Sequence, residues 1–300
     1  MTDPSTRAGF IAVIGAPNAG KSTLVNALVG QKVAIVSPKA QTTRARLMGI
    51  AIHGPTQILL VDTPGIFKPK RRLDRAMVAA AWTGAEDADR ILLVIDAAAR
   101  LTPEIDQMIA SLETRSHPLF LALNKVDLVK KPALLALSLD LTSRLKPDKV
   151  FMISATEGDG VPDLKQALAD SMPQGPWLYP DDEVSDATDR MIAAELTREQ
   201  IVNQLHQELP YATAVEIETW EDRPDGSTSI RQQILVERDS QKAIVIGKGG
   251  RRLKEIGQRA REAISDHLGR RVHLYLHVKV NPKWGEDRSL YQDMGLEWSD

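Results

Sequence analysis

Short apolar runs recur through the first half of the chain, each closed by a polar or glycine-containing cluster. FIAVI (Phe10 to Ile14), QILLV (Gln57 to Val61), PLFLAL (Pro118 to Leu123) and KVFMI (Lys149 to Ile153) are of this kind. They read as buried strands. STLVNALVG (Ser22 to Gly30) and VPDLKQALADSM (Val161 to Met172) carry helical spacing instead. The second half has a different texture. A helix is expected over Asp189 to Gln207, with Ile192, Leu196, Ile201, Val202 and Leu205 as its apolar stripe. TAVEIETW (Thr213 to Trp220) and SIRQQILVE (Ser229 to Glu237) alternate, and RPDGS (Arg223 to Ser227) between them predicts a hairpin turn. RVHLYLHVKV (Arg271 to Val280) alternates throughout. Val272, Leu274, Leu276, Val278 and Val280 face one way, and Arg271, His273, Tyr275, His277 and Lys279 the other. This predicts a half-buried strand of an antiparallel sheet.

The change of texture falls at PQGPWLYPDD (Pro173 to Asp182), whose three prolines and glycine suit neither helix nor strand. The expected organisation is a first domain over 1–172, a linker over 173–188 and a second domain with a C-terminal tail over 189–300. Trp177 and Tyr179 are expected to pack between the domains. Two domains also suit 300 residues.

Composition adds mainly exclusions. No cysteine is present, which excludes disulfides and thiolate metal sites. No apolar run approaches the roughly 20 residues that span a bilayer. MTDPSTRAGF at the start has no apolar signal core, so a cytoplasmic location is expected. The net charge of −2 conceals an asymmetry. Residues 181–222 hold twelve acidic and two basic side chains, whereas residues 247–279 hold nine basic and three acidic ones. Such regional charge bears on partners rather than on fold.

The chemistry begins at GAPNAGKS (Gly15 to Ser22), which follows a predicted strand and opens a predicted helix. It matches Gly-x-x-x-x-Gly-Lys-Ser at every fixed position, in the context that a phosphate-binding loop requires. Glycines let the backbone curl so that successive N–H groups face an anion, and the helix N-terminus adds partial positive charge. Lys21 can reach the outer phosphates, and the Ser22 hydroxyl can bind magnesium.

NKVD (Asn124 to Asp127) follows another apolar strand and names the base. An Asp127 carboxylate accepts from both the ring N–H and the exocyclic amine of guanine. Adenine offers the opposite pattern and would leave a charge unpaired, a penalty on the order of 10⁴-fold. Asn124 would bridge neighbouring loops, and the Lys125 stem would lie along the base. DTPG (Asp62 to Gly65) closes a third strand. Asp62 is placed to hold magnesium through water, and the Gly65 N–H to contact the terminal phosphate. SAT (Ser154 to Thr156) closes a fourth strand, its backbone set to touch the guanine oxygen. All four motifs fall at carboxyl ends of strands, the edge where open α/β sheets bind ligands. The nucleotide set is therefore Gly15, Asn18, Ala19, Gly20, Lys21, Ser22, Thr23, Asp62, Asn124, Lys125, Asp127, Ser154 and Ala155, with GTP or GDP and Mg²⁺ as cofactors.

Taken in order, these motifs resemble the translation-factor-like GTPases. The polar stretch SPKAQTTRAR (Ser37 to Arg46) has no clean period and is the expected sensor of the terminal phosphate. Thr42 or Thr43 would be the second magnesium ligand. The resemblance favours Thr43, because Thr-Arg is the usual arrangement there. The metal set is then Ser22, Thr43 and Asp62, and the catalytic set is Lys21, Thr43 and Gly65. Ile66 stands where Ras-like proteins carry the glutamine that orients water, and isoleucine has no hydrogen-bonding group. Similar GTPases carry an asparagine in the phosphate loop that helps bind potassium. Asn18 holds that place, with a loop-turning role as its alternative.

The second domain carries AIVIGKGGRRLKEIGQRAREAI (Ala243 to Ile264), in which Leu253, Ile256, Ala260 and Ile264 face inward. Gly247, Lys248, Gly249 and Gly250 form a Gly-x-x-Gly loop before this long helix. Such a loop is the clamp by which KH domains grip about four nucleotides of a single strand. Lys248, Arg251 and Arg252 would supply charge, and Ile244 and Ile246 a groove for bases. The order helix–strand–strand–helix–loop–helix–strand matches the bacterial type of KH domain. The expected fold class is thus an α/β phosphate-loop GTPase domain, its sheet mostly parallel with helices on both faces, followed by an α+β KH domain.

From about Gly9 to Trp298 the chain resembles the Era-type GTPases, bacterial ribosome-assembly GTPases with a C-terminal KH domain. That resemblance implies binding to the 30S ribosomal subunit near the 3′ end of its RNA, action as a monomer, and peripheral contact with the inner membrane. No basic amphipathic helix independently points to such an anchor.

Overall fold

The computed structural model describes residues 6–298 apart from 38, 40–42, 45, 46, 68, 70, 116, 206–208 and 295. The chain forms two compact units. One comprises residues 1–34, 43–186 and 294–300, and the other residues 35–42 and 187–293.

The first unit runs β1 (Arg7–Ile14), α1 (Lys21–Val29), β2 (Leu47–His53), β3 (Thr56–Asp62), α2 (Arg72–Glu86), β4 (Arg90–Asp96), α3 (Pro103–Glu113), β5 (Leu119–Asn124), α4 (Lys131–Leu145), β6 (Lys149–Met152) and α5 (Val161–Asp170). Its six strands lie in the order β2-β3-β1-β4-β5-β6. β2 pairs antiparallel with β3, and every other pair is parallel. Alternation along the strands divides the core. Ile11 and Val13 of β1 join Leu24 and Leu28 of α1 and Leu164 and Leu168 of α5 on one face. Ala12 and Ile14 join Ile109 of α3 and Leu141 of α4 on the other. Covering both faces is what allows the apolar runs to be nearly continuous.

Residues 173–186, expected as a linker, belong to the first unit. Ala8 N donates to Pro173 O, and Ile50 N donates to Val184 O. Trp177 and Tyr179 pack on the β2–β3 hairpin of this unit. The Trp177 indole donates to Pro55 O at 2.9 Å. Gln57 is fully buried, and its amide donates to Tyr179 O while its Oε1 accepts from Leu178 N and Tyr179 N. Prolines denied this stretch regular structure, yet one buried carboxamide supplies its backbone partners.

The second unit runs α6 (Asp189–Gln204), β7 (Thr213–Asp222), β8 (Thr228–Val236), α7 (Asp239–Ile246), α8 (Arg251–Leu268), β9 (Val272–Val280) and α9 (Arg288–Asp293). Its sheet has the order β7-β8-β9. β7 and β8 form the expected hairpin, but β9 pairs parallel to β8, from Thr228↔Val272 to Val236↔Val280. The alternation of β9 is as read; the orientation is not. Two helices intervene between β8 and β9, and such a crossover returns the chain in the same direction. Ile230, Ile234 and Val236 pack with Ile201, Ile256 and Ile264 of the helices. Residues 35–42 join this unit through Val36 N, which donates to Glu199 at 3.0 Å, and Lys39, which donates to the carbonyls of Val202 and Leu205.

Among the described residues, no helix is long and apolar enough to cross a membrane.

Replacing Gln57 with Leu leaves the amides of Leu178 and Tyr179 without their acceptor. A loss of about 2 kcal/mol is expected in urea unfolding, together with faster chymotryptic cleavage after Trp177.

Candidate functional site

Two residues of the loop between β1 and α1 take positive φ, which turns the chain sharply into the helix. Asn18 has φ 63° and Gly20 φ 94°. A Cβ on Gly20 would lie 2.2 Å from the Asn124 amide nitrogen, so only glycine fits. Lys21 is buried at the start of α1, and its ammonium donates to Gly15 O and Ala16 O, both at 3.1 Å. Burial lowers the Lys21 ammonium to about 8, with the nearby Asp62 carboxylate opposing the shift.

At the end of β3, Asp62 is fully buried and receives two hydroxyls. Ser22 Oγ donates to Asp62 Oδ2 at 2.8 Å, and Thr43 Oγ1 does so at 3.3 Å. The two hydroxyls lie 2.9 Å apart. Burial raises the Asp62 carboxyl above its ordinary value, against the pull of Lys21, Ser22 and Thr43. Its Oδ1 is buried without a partner among the described residues. Three hard oxygen donors and an unspent carboxylate oxygen suit a magnesium ion. Thr42, the alternative ligand, lies outside the described residues.

Gly65 presses on the phosphate loop, since a Cβ there would meet Pro17 N at 2.8 Å. The next amide, Ile66 N, donates to Gly15 O at 3.2 Å. The Ile66 side chain turns to the apolar core on the α2–α4 face of the sheet.

The NKVD and SAT loops converge on Asn124. Its amide donates to Ala19 O at 2.8 Å, and its Oδ1 accepts from Ala155 N at 3.0 Å. One carboxamide thus joins the phosphate loop, NKVD and SAT, and Ser154 beside it is buried. Lys125 has φ 65°, and its ammonium donates to Asn18 O at 2.8 Å and to Asp96 Oδ2 at 2.7 Å. Asp127 is exposed in the following 3₁₀ turn, with no hydrogen bond or ion pair to the described residues. Thr23 lies within α1. No short sequence motif marks Asp96. Its signal is that of the other sites: a carboxylate closing an apolar run, RILLVID (Arg90 to Asp96), at the same sheet edge.

In the second unit, the GKGG loop joins α7 to α8. Gly247, Gly249 and Gly250 take φ of 70°, 61° and 76°, and a Cβ on Gly247 would lie 2.8 Å from that of Arg252. Gly250 caps α8, so the loop feeds a helix N-terminus. Lys248 and Arg251 are exposed and make no hydrogen bond or ion pair among the described residues. Arg252 donates to Ile244 O at 2.8 Å. Ile244 is 48% exposed beside the loop, while Ile246 is partly buried against the core.

Comparison with known proteins agrees with this division. The family described as "50S ribosome-binding GTPase" matches residues 10–125, and the KH domain family matches residues 208–285. GTPase Era of Erythrobacter litoralis is 55% identical over 302 residues, covering 99% of both chains. GTPase Era of Afipia carboxidovorans is 56% identical over 98% of this chain and 95% of its own. The chain belongs to the Era family of GTPases. Like other Era proteins, it is a GTPase with a C-terminal KH domain. A solved structure of Era in complex with MgGDPNP and nucleotides 1506–1542 of 16S ribosomal RNA superposes with a TM-score of 0.91. It is 36% identical and covers 97% of this chain and 99% of its own. An Aquifex aeolicus Era variant bound to GDP and AlF₄⁻ superposes equally well.

The exposed Asp127 yields a direct test. An amide at this position offers a donor where the carboxylate accepted, so Asp127→Asn should bind XTP in preference to GTP. Competition binding of the two nucleotides measures the switch, and unchanged GTP selectivity would remove Asp127 from base reading.

Proposed function

We propose that this chain binds magnesium and GTP through residues 1–172 and single-stranded RNA through residues 189–300, and that it acts on the small ribosomal subunit near the 3′ end of its RNA. The observation that carries the RNA part is the pair of exposed cations, Lys248 and Arg251, without a partner among the described residues and beside glycines of positive φ. Glycines allow a phosphodiester backbone to come close, and the cations neutralise it. The solved Era complex contains the 16S fragment 1506–1542, which supplies the target. The family matched over residues 10–125 is described by the 50S subunit, but it covers less than half of the chain, and the small-subunit target rests on the Era complex, which matches nearly all of it. We read the chain as acting as a monomer, since the residues named for each site all come from one chain.

In the nucleotide site, Lys21 would hold the outer phosphates, Asp127 the guanine edge, and the backbone of the Ser154 to Thr156 loop, fastened beside Asn124, the guanine oxygen. Ser22, Thr43 and Asp62 would hold magnesium, which neutralises phosphate charge when bound. Gly65 would approach the terminal phosphate through its backbone. Hydrolysis cannot draw on a side chain at position 66 to orient water, because Ile66 has no polar atom and packs into the core. Potassium beside Asn18 would supply positive charge to the phosphates in its place. GTP hydrolysis should then be slow and faster in potassium than in sodium. Equal rates in the two salts would dismiss the ion and leave the magnesium set standing.

Filter binding to the 16S fragment tests the RNA reading. The double charge reversal Lys248→Glu, Arg251→Glu should weaken binding by about 2 kcal/mol or more, since each reversal loses a phosphate contact and adds repulsion. Wild-type affinity should fall steeply with salt. GTP affinity should stay unchanged, the phosphate loop lying in a unit with its own core. RNA binding that survived the double reversal would reduce this basic stretch to a solvated helix face.

A further inference from the structure

The GKGG loop borders two surfaces of the second unit. Ile244 and Ile246 lie on α7. On the other flank of α8, a recess of about 440 Å³ opens between the C-terminal end of α6 and the first turns of α8. It is lined by Asn203 and Gln204 from α6, Lys248 from the loop, and Arg251, Glu255 and Arg259 from one stripe of α8. Arg259 pairs with Glu255 at 2.7 Å, whereas Lys248 and Arg251 carry no partner among the described residues.

Gln204 is the unusual member. Both its amide nitrogen and its Oε1 are buried, and neither has a hydrogen-bond partner among the described residues. Native proteins rarely leave a buried donor and acceptor unmatched on one side chain. Gln204 lines the recess, so rotation about its own side-chain bonds would turn the carboxamide toward a ligand there. A carboxamide presents a donor and an acceptor side by side, the complement of a nucleobase edge. Positive charge at the mouth and a paired polar reader inside describe a pocket for one nucleotide.

We propose that this recess is an additional nucleotide subsite, continuous with the GKGG clamp, in which Gln204 bonds the edge of an unstacked base and Arg251 and Arg259 meet its phosphate. The strand would thus be gripped on both flanks of α8 rather than along α7 alone. The inference rests on the RNA-binding reading above and adds to it a residue that determines base preference.

The test uses the full-length protein and RNA matching the 16S fragment 1506–1542, together with versions carrying a different base at each position in turn. Gln204→Leu should weaken binding about tenfold and flatten base preference at one position only. Its melting temperature should hold or rise, because an unmatched polar group has been removed. Gln204→Met, closer in shape, should give the same profile and guards against a folding defect in the first variant. Wild-type RNA binding with both variants unchanged in affinity and base profile would overturn the subsite while leaving the clamp intact. Absence of RNA binding by the wild type would overturn the RNA reading and the subsite together.

Discussion

The nucleotide site depends on one buried side chain holding three loops to a common distance. Parallel strands deliver the phosphate loop, NKVD and SAT to the same edge of the sheet, but strands alone leave loop ends free to drift. Asn124 removes that freedom by donating to Ala19 O and accepting from Ala155 N. The constraint propagates outward. Gly20 must lack a Cβ because the Asn124 amide occupies that space. The resulting turn feeds α1 so that Lys21 points back along the loop. Lys125, next in sequence, fastens Asn18 O and is itself held by Asp96. In a buried network of this kind, removing one partner costs more than the bond it made, because the remaining groups stay desolvated.

Burial also sets the electrostatics. Lys21 and Asp62 are both removed from water, which disfavours the charged form of each, and each partly restores the charge of the other. This pair stands ready for a ligand that brings both signs. A phosphate group favours the charged Lys21, and a divalent cation favours the charged Asp62. The free protein thus bears a desolvation cost that a magnesium-bound nucleotide would offset, which is a physical reason for binding the two together.

Much of this was legible in the sequence because the site residues close apolar runs. Gly15, Asp62, Asn124 and Ser154 each follow a strand that could be read from hydrophobicity alone. Asp96 closes a run of the same kind and went unread, since no short motif marks it; its role emerges only when Lys125 bends back across the loop. The orientation of β9 was equally hidden. Alternation reports which side chains are buried, not which way the neighbouring strand runs, and the long connection through α7 and α8 decides that. Gln57 shows a further limit. A glutamine opening an apolar strand looks like an edge residue, yet it is buried and fixes the backbone at Leu178 and Tyr179. The prolines of 173–182 correctly denied a helix or strand, but a lack of regular structure did not make the segment a free linker.

The two units use the same backbone device for different ligands. In each, glycines at positive φ turn the chain into a helix N-terminus, α1 after Gly20 and α8 after Gly250. The difference lies in the cations. Lys21 is buried and folded onto the loop carbonyls, so it is matched to a small ligand enclosed by several loops. Lys248 and Arg251 are exposed, which suits a polymer that passes across the surface and continues beyond it. Enclosure gives selectivity for one small molecule, because every unmatched group is desolvated. Exposure leaves phosphate contacts screened by salt and nearly blind to sequence. Sequence preference in the second unit would then fall to less exposed groups beside the loop, whose hydrogen bonds are costly to leave unmade.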